Sequence, residues 1–112
     1  MIIERDAIVQ GNVRLDTAGP PVNATAIEIG PFAGGRVLCP SSIESTTFTF
    51  WECDTAGGDY YEMQSGGADV TATRTASERN SVEIPAACAT AKFLKIQSSH
   101  DDNEAVTVIK KP

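Results

Sequence analysis

The stretch Lys92-Phe93-Leu94-Lys95-Ile96-Gln97-Ser98 places Leu94 and Ile96 two residues apart, with Lys95 and Gln97 alternating between and after them. Successive side chains of a β-strand point to opposite faces, so this segment carries one apolar and one wet face. A helix would need its apolar residues three and four apart. The same period of two recurs in Ile27 and Ile29, Phe48 and Phe50, Val82 and Ile84, and Val106 and Val108. Glu28, Thr49, Glu83 and Thr107 fill the intervening positions. No window sustains the helical period, so the pairs predict antiparallel sheets with one solvated face, and their apolar members predict the core.

Working outward from these pairs, strands are expected at 4–9, 22–29, 35–39, 46–53, 59–63, 69–74, 80–85, 92–98 and 104–110. Gly19-Pro20-Pro21, Gly30-Pro31, Gly34-Gly35, Gly57-Gly58, Gly66-Gly67 and Pro85 separate them, supplying the positive or fixed φ that a reversing chain requires. Only 85–91 admits a helical turn. Short strands closed by turns at this spacing predict an all-β fold, a single antiparallel β-sandwich of jelly-roll-like type, over residues 22–112. Residues 1–21, broken at Gly11-Asn12 and from Thr17 to Pro21, read either as an N-terminal arm or as a first strand and connector.

With 112 residues the chain makes one domain and can bury a core without disulfides or a structural metal. The formal charge of -6 opposes nucleic-acid phosphate, and no apolar run reaches the length of a membrane span. Neither nucleic acid nor membrane is therefore expected as a partner. Met1-Ile2-Ile3 runs directly into Glu4-Arg5-Asp6, so the expectation is synthesis in the cytoplasm without a signal peptide. The cysteines, Cys39, Cys53 and Cys88, are odd in number and widely spaced, which predicts reduced thiols behaving as small hydrophobes.

Catalytic signatures are lacking. His100 is the single histidine, and its neighbours Ser98, Ser99, Asp101 and Asp102 lie beside it in sequence instead of converging on it as triad partners do. No phosphate-cradling or dinucleotide motif occurs, so the expectation is a protein that is not an enzyme and has no cofactor. The acidic segments His100-Asp101-Asp102-Asn103-Glu104 and Asp54-Thr55-Ala56-Gly57-Gly58-Asp59 hold oxygen ligands of the type calcium takes. Neither has EF-hand spacing, and both read as solvated turns, so no metal site is assigned. Trp51 breaks the alternation: with Phe48 and Phe50 inward it faces outward as an interface candidate, while a bulge near Glu52 would turn it into the core. Tyr60 and Tyr61, consecutive in a strand, face opposite ways, which leaves one of them available beside Trp51.

Read in order, the chain shows Arg36-Val37-Leu38-Cys39-Pro40, Phe48-Thr49-Phe50-Trp51-Glu52, and a turn at Gly58-Asp59-Tyr60. Val70-Thr71-Ala72-Thr73, Val82-Glu83-Ile84-Pro85-Ala86-Ala87 and the strand at 92–98 follow. Over residues 22–110 this succession resembles small β-sandwich virion structural proteins of tailed bacteriophages, in which an Asp-Gly-x-x-Tyr turn and an aromatic-Leu-Lys-Ile-x-Ser strand recur. It also resembles discoidin-like jelly rolls, in which the latter strand packs in the core and loops at one end bind sugars or other ligands. Two departures stand out: the turn here is longer, from Asp54 to Tyr60, and Trp51-Glu52 replaces the usual alternation.

The resemblance lies in strands and turns, so it carries over no functional residues. It implies a non-enzymatic head decoration or cement protein on the virion surface, bound to the major capsid protein and self-associated, as a homotrimer, with an N-terminal arm. Met1 to Val9 is the segment that matches such an arm. Its apolar residues Ile2, Ile3, Ile8 and Val9, with Trp51 and Tyr60, are the expected partner interface, although the same segment also reads as an ordinary first strand. The alternative is a carbohydrate-binding module on a tail, neck or fibre, with Trp51 and the tyrosines as the sugar platform.

Overall fold

A computed structural model describes residues 7–100 and 105–111 of the chain. In chain order the strands are β1 (Ile8–Arg14), β2 (Ile27–Glu28), β3 (Gly34–Cys39), β4 (Thr47–Cys53), β5 (Tyr61–Glu62) and β6 (Gln64–Ser65). They continue with β7 (Ala68–Asp69), β8 (Thr71–Thr73), β9 (Asn80–Glu83), β10 (Phe93–Ser98) and β11 (Ala105–Lys111). A 3-10 helix at Ala86–Thr90 fills the segment where a helical turn was expected.

Sheet A runs β1-β11-β3-β9. Sheet B runs β2-β10-β4, with β5 and β8 both paired to the far side of β4. All the pairings between these strands are antiparallel. With β5 and β8 taken as one interrupted strand, the chain crosses between the sheets at every connection except the one after β4. That is the strand order of an eight-stranded jelly roll, so the protein is an all-β, antiparallel β-sandwich.

The interruption has a simple geometry. Trp51 pairs with Glu62 and Glu52 with Tyr61, while Thr49 pairs with Thr71 and Phe48 with Ala72. Phe50, between them, donates its N–H to the Val70 carbonyl and accepts the Met63 N–H, so two residues stand opposite one. The intervening residues project as the hairpin β6–β7, whose turn uses Gly66 at φ 62° and Gly67 at φ 83°. Glycine adopts that conformation without the Cβ clash other residues suffer. Deleting residues 64–70 would therefore join Met63 to Thr71 in unbroken register. The expected result is an intact fold, read as an unchanged far-UV spectrum, with a loss of about 1–3 kcal/mol in chemical denaturation because buried Val70 is removed.

Every residue predicted for the core is buried, and Val13, Leu15, Val37, Cys39, Ile43 and Cys88 join the same cluster between the sheets. The register of β4 against β10 is continuous from Phe48↔Ser98 to Cys53↔Phe93, with no bulge near Glu52. Phe48 and Phe50 therefore point inward, and Trp51 lies on the outer face of sheet B opposite Lys95. The first strand departs from the sequence reading, which ended it at residue 9. β1 continues through Gly11-Asn12, where the ladder to β11 shifts and Asn12 takes φ 51°, so the apparent break is a bulge inside the strand. The strand expected at 22–29 shrinks to β2, because the preceding residues serve a different purpose.

Those residues form a connector between the sheets. Leu15 is fully buried, and Asp16 lies beside Gln97 in a parallel bridge, its carbonyl accepting the Ser98 N–H at 2.8 Å. The Asp16 carboxylate, itself buried, accepts the backbone N–H of Asn23 at 2.9 Å and of Ala18 at 3.2 Å. A carboxylate with such partners folds its own loop, an arrangement typical of Asp in turns. The loop lies across the outer face of sheet B: Gln97 Nε2 donates to the Thr17 carbonyl and Lys95 Nζ to the Val22 carbonyl, each at 3.1 Å. Gly19 sits so close that a Cβ there would be 3.2 Å from both Trp51 and Gln97.

Candidate functional site

Of the residues expected to form a partner surface, the described ones fall on two sides of the molecule, Ile8 and Val9 on one and Trp51 and Tyr60 on the other. Ile2 and Ile3 lie outside the described residues, as does Asp101-Asp102-Asn103-Glu104 from the acidic segment that follows His100. Ile8 and Val9 lie on β1, an edge strand of sheet A, and are 51% and 64% exposed. Trp51 and Tyr60 belong to the other side of the molecule. Trp51 is half-buried beneath Gly19, and its indole N–H donates to Gln97 Oε1 at 2.9 Å. Tyr60 is only 8% exposed: its hydroxyl donates to the Ala56 carbonyl at 2.9 Å, and Lys95 Nζ stands 4.8 Å from its ring centroid. Burial raises the phenol above its ordinary range, and Cys53 adds to the effect. The exposed tyrosine is Tyr61, at 70%.

The segment 54–59 closes tightly around Cys53. A Cβ on Gly58 would lie 2.5 Å from Cys53 Sγ and from Thr55 Oγ1, so any side chain there would force both of these short side chains to turn away. Asp54 and Asp59 are both exposed. Among the described residues no group of three or more histidines, cysteines, aspartates or glutamates is placed to hold a metal ion. Elsewhere, the pKa of exposed Glu62 is raised, first by a hydrogen bond with Asp69 and then by slight desolvation and the Asp69 charge.

Around His100 the side chains are engaged in holding loops together. Its Nδ1 is 3.4 Å from Glu44 Oε2, both groups being half exposed. Ser99 Oγ receives the backbone N–H of Thr46 and Thr47, and Ser45 Oγ, fully buried, meets Ser99 Oγ at 3.1 Å. A serine nucleophile needs its hydroxyl aimed at a base and open to substrate. These hydroxyls are spent on the loop backbone.

None of the three thiols is in a disulfide. Burial, reinforced by the charge of Glu52, pushes the Cys88 thiol up to about 12. Since its pKa is raised on folding, the associated stability is complete below the ordinary thiol value of 9.0. It is lost as pH climbs from there towards about 12. A water-soluble disulfide reagent at pH 8 is expected to modify Cys53 quickly in the folded protein and to reach Cys39 and Cys88 only after unfolding. Rapid labelling of Cys88 in the folded state would contradict its placement.

The outer face of sheet B holds a feature that no sequence pattern announced. The connector at Pro20, Pro21 and Val22 and the loop at Gly57, Gly58 and Asp59 face one another across Tyr60 and Lys95, enclosing a cleft of about 520 Å³. In sequence these residues look like two turns and one polar strand position, and nothing in their spacing signals that the three segments meet. On the far sheet, β1 is an edge strand that pairs with β11 alone among the described strands and carries exposed Ile8 and Val9, while the Arg14 backbone at its other end exchanges hydrogen bonds with Thr25. No helix of the described residues is long and apolar enough to cross a membrane. No protein-family model matches the chain, and no curated protein and no solved structure matches it either.

Proposed function

We propose that this protein is a non-enzymatic virion structural protein of the head-decoration type, held on the capsid surface through the edge of sheet A. The edge of β1 ahead of its bulge supports this reading, the Arg14 backbone beyond it being already paired with Thr25. An edge strand presents a row of unsatisfied hydrogen-bonding groups, which native proteins usually blunt with charge, proline or cover. Ile8 and Val9, 51% and 64% exposed, leave the first part of this edge apolar, and the bulge at Asn12 limits it to the strand's N-terminal half. A coat-protein strand or groove of matching length is the partner such an edge accommodates. The acidic balance of -6 keeps copies apart in solution before they bind. The jelly roll is an architecture that viral coats and lectins share.

The experiment is quantitative mass spectrometry of purified particles, giving the ratio of this chain to the major capsid protein. It is paired with particle co-sedimentation of the Val9→Glu variant. A ratio that is a simple symmetric fraction of the coat copy number, with binding lost in the variant while its folding is unchanged, is the expected result. A handful of copies per particle, or undiminished binding of the variant, overturns the proposal.

A further inference from the structure

We propose that the cleft on the outer face of sheet B is a binding site for a neutral saccharide, whose hydroxyls bridge Lys95 and Asp59 while its apolar ring face rests on Pro20, Pro21 and Val22. The inference goes beyond the structural role and does not depend on it, since the cleft lies on the sheet opposite β1.

Size is the first consideration. A volume of about 520 Å³ falls in the range of small-molecule sites and suits one or two sugar rings. Charge comes second. The Lys95 ammonium has three donors, one of which reaches the Val22 carbonyl, and it sits over the Tyr60 ring. Asp59 is exposed, and no described group is hydrogen-bonded to its carboxylate, which accepts only. A ligand satisfying both groups must accept from one and donate to the other, as a hydroxyl does. An anion meets Asp59 and the net charge of -6, and a cation meets Lys95. A polyol meets neither opposition.

The third consideration is the opposite wall. Pro20, Pro21 and Val22 offer apolar surface, and Val22 is among the most exposed aliphatic side chains described. A pyranose has a C–H face that such a wall desolvates, and rigid prolines lose little freedom on binding. Both walls are fixed in place: the connector is held by Asp16 and Lys95, and the glycine loop by Gly58 against Cys53 and by Tyr60 on Ala56. A cleft held open in this way avoids the ordering cost that weakens flexible sites. The site differs from an aromatic platform, because Lys95 already covers a face of Tyr60 and the connector covers part of Trp51.

The test is a titration of the 15N-labelled protein with maltose, cellobiose, lactose and galacturonic acid, following backbone amides by NMR. The expected result is shifts confined to 57–60, 22 and 95 with at least one neutral disaccharide, at a Kd on the order of 1 mM. Asp59→Asn, which breaks no intramolecular hydrogen bond, is expected to weaken binding about tenfold. Lys95→Met should do likewise, while Tyr61→Ala leaves binding unchanged. No shifts with any of these sugars up to about 50 mM overturns the proposal. So do shifts centred on Tyr61, or tightest binding of the uronic acid, which would mark an anion site.

Discussion

Phe50→Ala is expected to destabilise the domain by about 3–5 kcal/mol, read as a large drop in the urea midpoint at unchanged slope. Phe50 is fully buried in the middle of β4, and its backbone is shared between Met63 and Val70, where the edge strand is interrupted. Removing the ring leaves a cavity that the surrounding strands, held by hydrogen bonds on both sides of β4, cannot close. Against a typical total stability of about 5–15 kcal/mol, that loss brings the variant close to unfolding. The neighbouring Trp51→Phe provides the control. It gives up the indole bond to Gln97 and little burial, so about 1 kcal/mol is expected. The comparison tests the register, because a one-residue slip would exchange the two side chains between core and solvent. If Trp51→Phe proved the more damaging substitution, the pairing of Phe50 with Ile96 would be wrong.

Residues whose neighbours are set by local periodicity were legible. Leu94 and Ile96, Phe48 and Phe50, and Val106 and Val108 sit in the core because strand geometry alone sends them to one side. The outward orientation of Trp51 follows from the same alternation, and it is the unshifted pairing of β4 with β10 that excludes the competing bulge. Gly66-Gly67 was recognisable as a turn. That Met63 and Val70 would stand opposite the same residue was not, since an inserted hairpin leaves both flanking strands reading normally. Gly11-Asn12 misled for a related reason: a bulge and a strand end use the same residues. The cleft at Lys95 and Asp59 was illegible because its walls come from distant turns, and apolar and polar turn residues carry no address. Tyr60 and Tyr61 illustrate the intermediate case, in which opposite orientations were expected but not which of them would be covered.

Arg74 is the residue whose weight the sequence concealed most, since a lone arginine after Thr71-Ala72-Thr73 reads as a solvated charge at a strand end. Its guanidinium instead holds two loops at one end of the sandwich. It donates to the Ile43 carbonyl at 2.9 Å, the Ser45 carbonyl at 2.6 Å, the Glu78 carbonyl at 2.8 Å and Asn80 Oδ1 at 2.9 Å. Its backbone N–H reaches the Thr46 carbonyl, and the Ser77 N–H reaches that of Ile43, so 43–46 and 74–80 are stitched together around one side chain. Arg74→Ala is expected to cost about 2–4 kcal/mol. Charged hydrogen bonds contribute about 1.5–3 kcal/mol each and are not additive, and water replaces some of them here. The Ser45 carbonyl is the group that dominates, because Ser45 is fully buried and water reaches it poorly. Arg74→Lys should recover less than half of the loss, an ammonium being unable to reproduce the planar fork that serves acceptors on both loops. Hydrogen exchange distinguishes this latch from a general packing effect: the Ser77 amide should lose protection in Arg74→Ala, while amides of β10 change only in step with global stability. If both loops kept their protection, the guanidinium would be a passenger and the hydroxyl cluster of Ser45 and Ser99 would be the element holding that end closed.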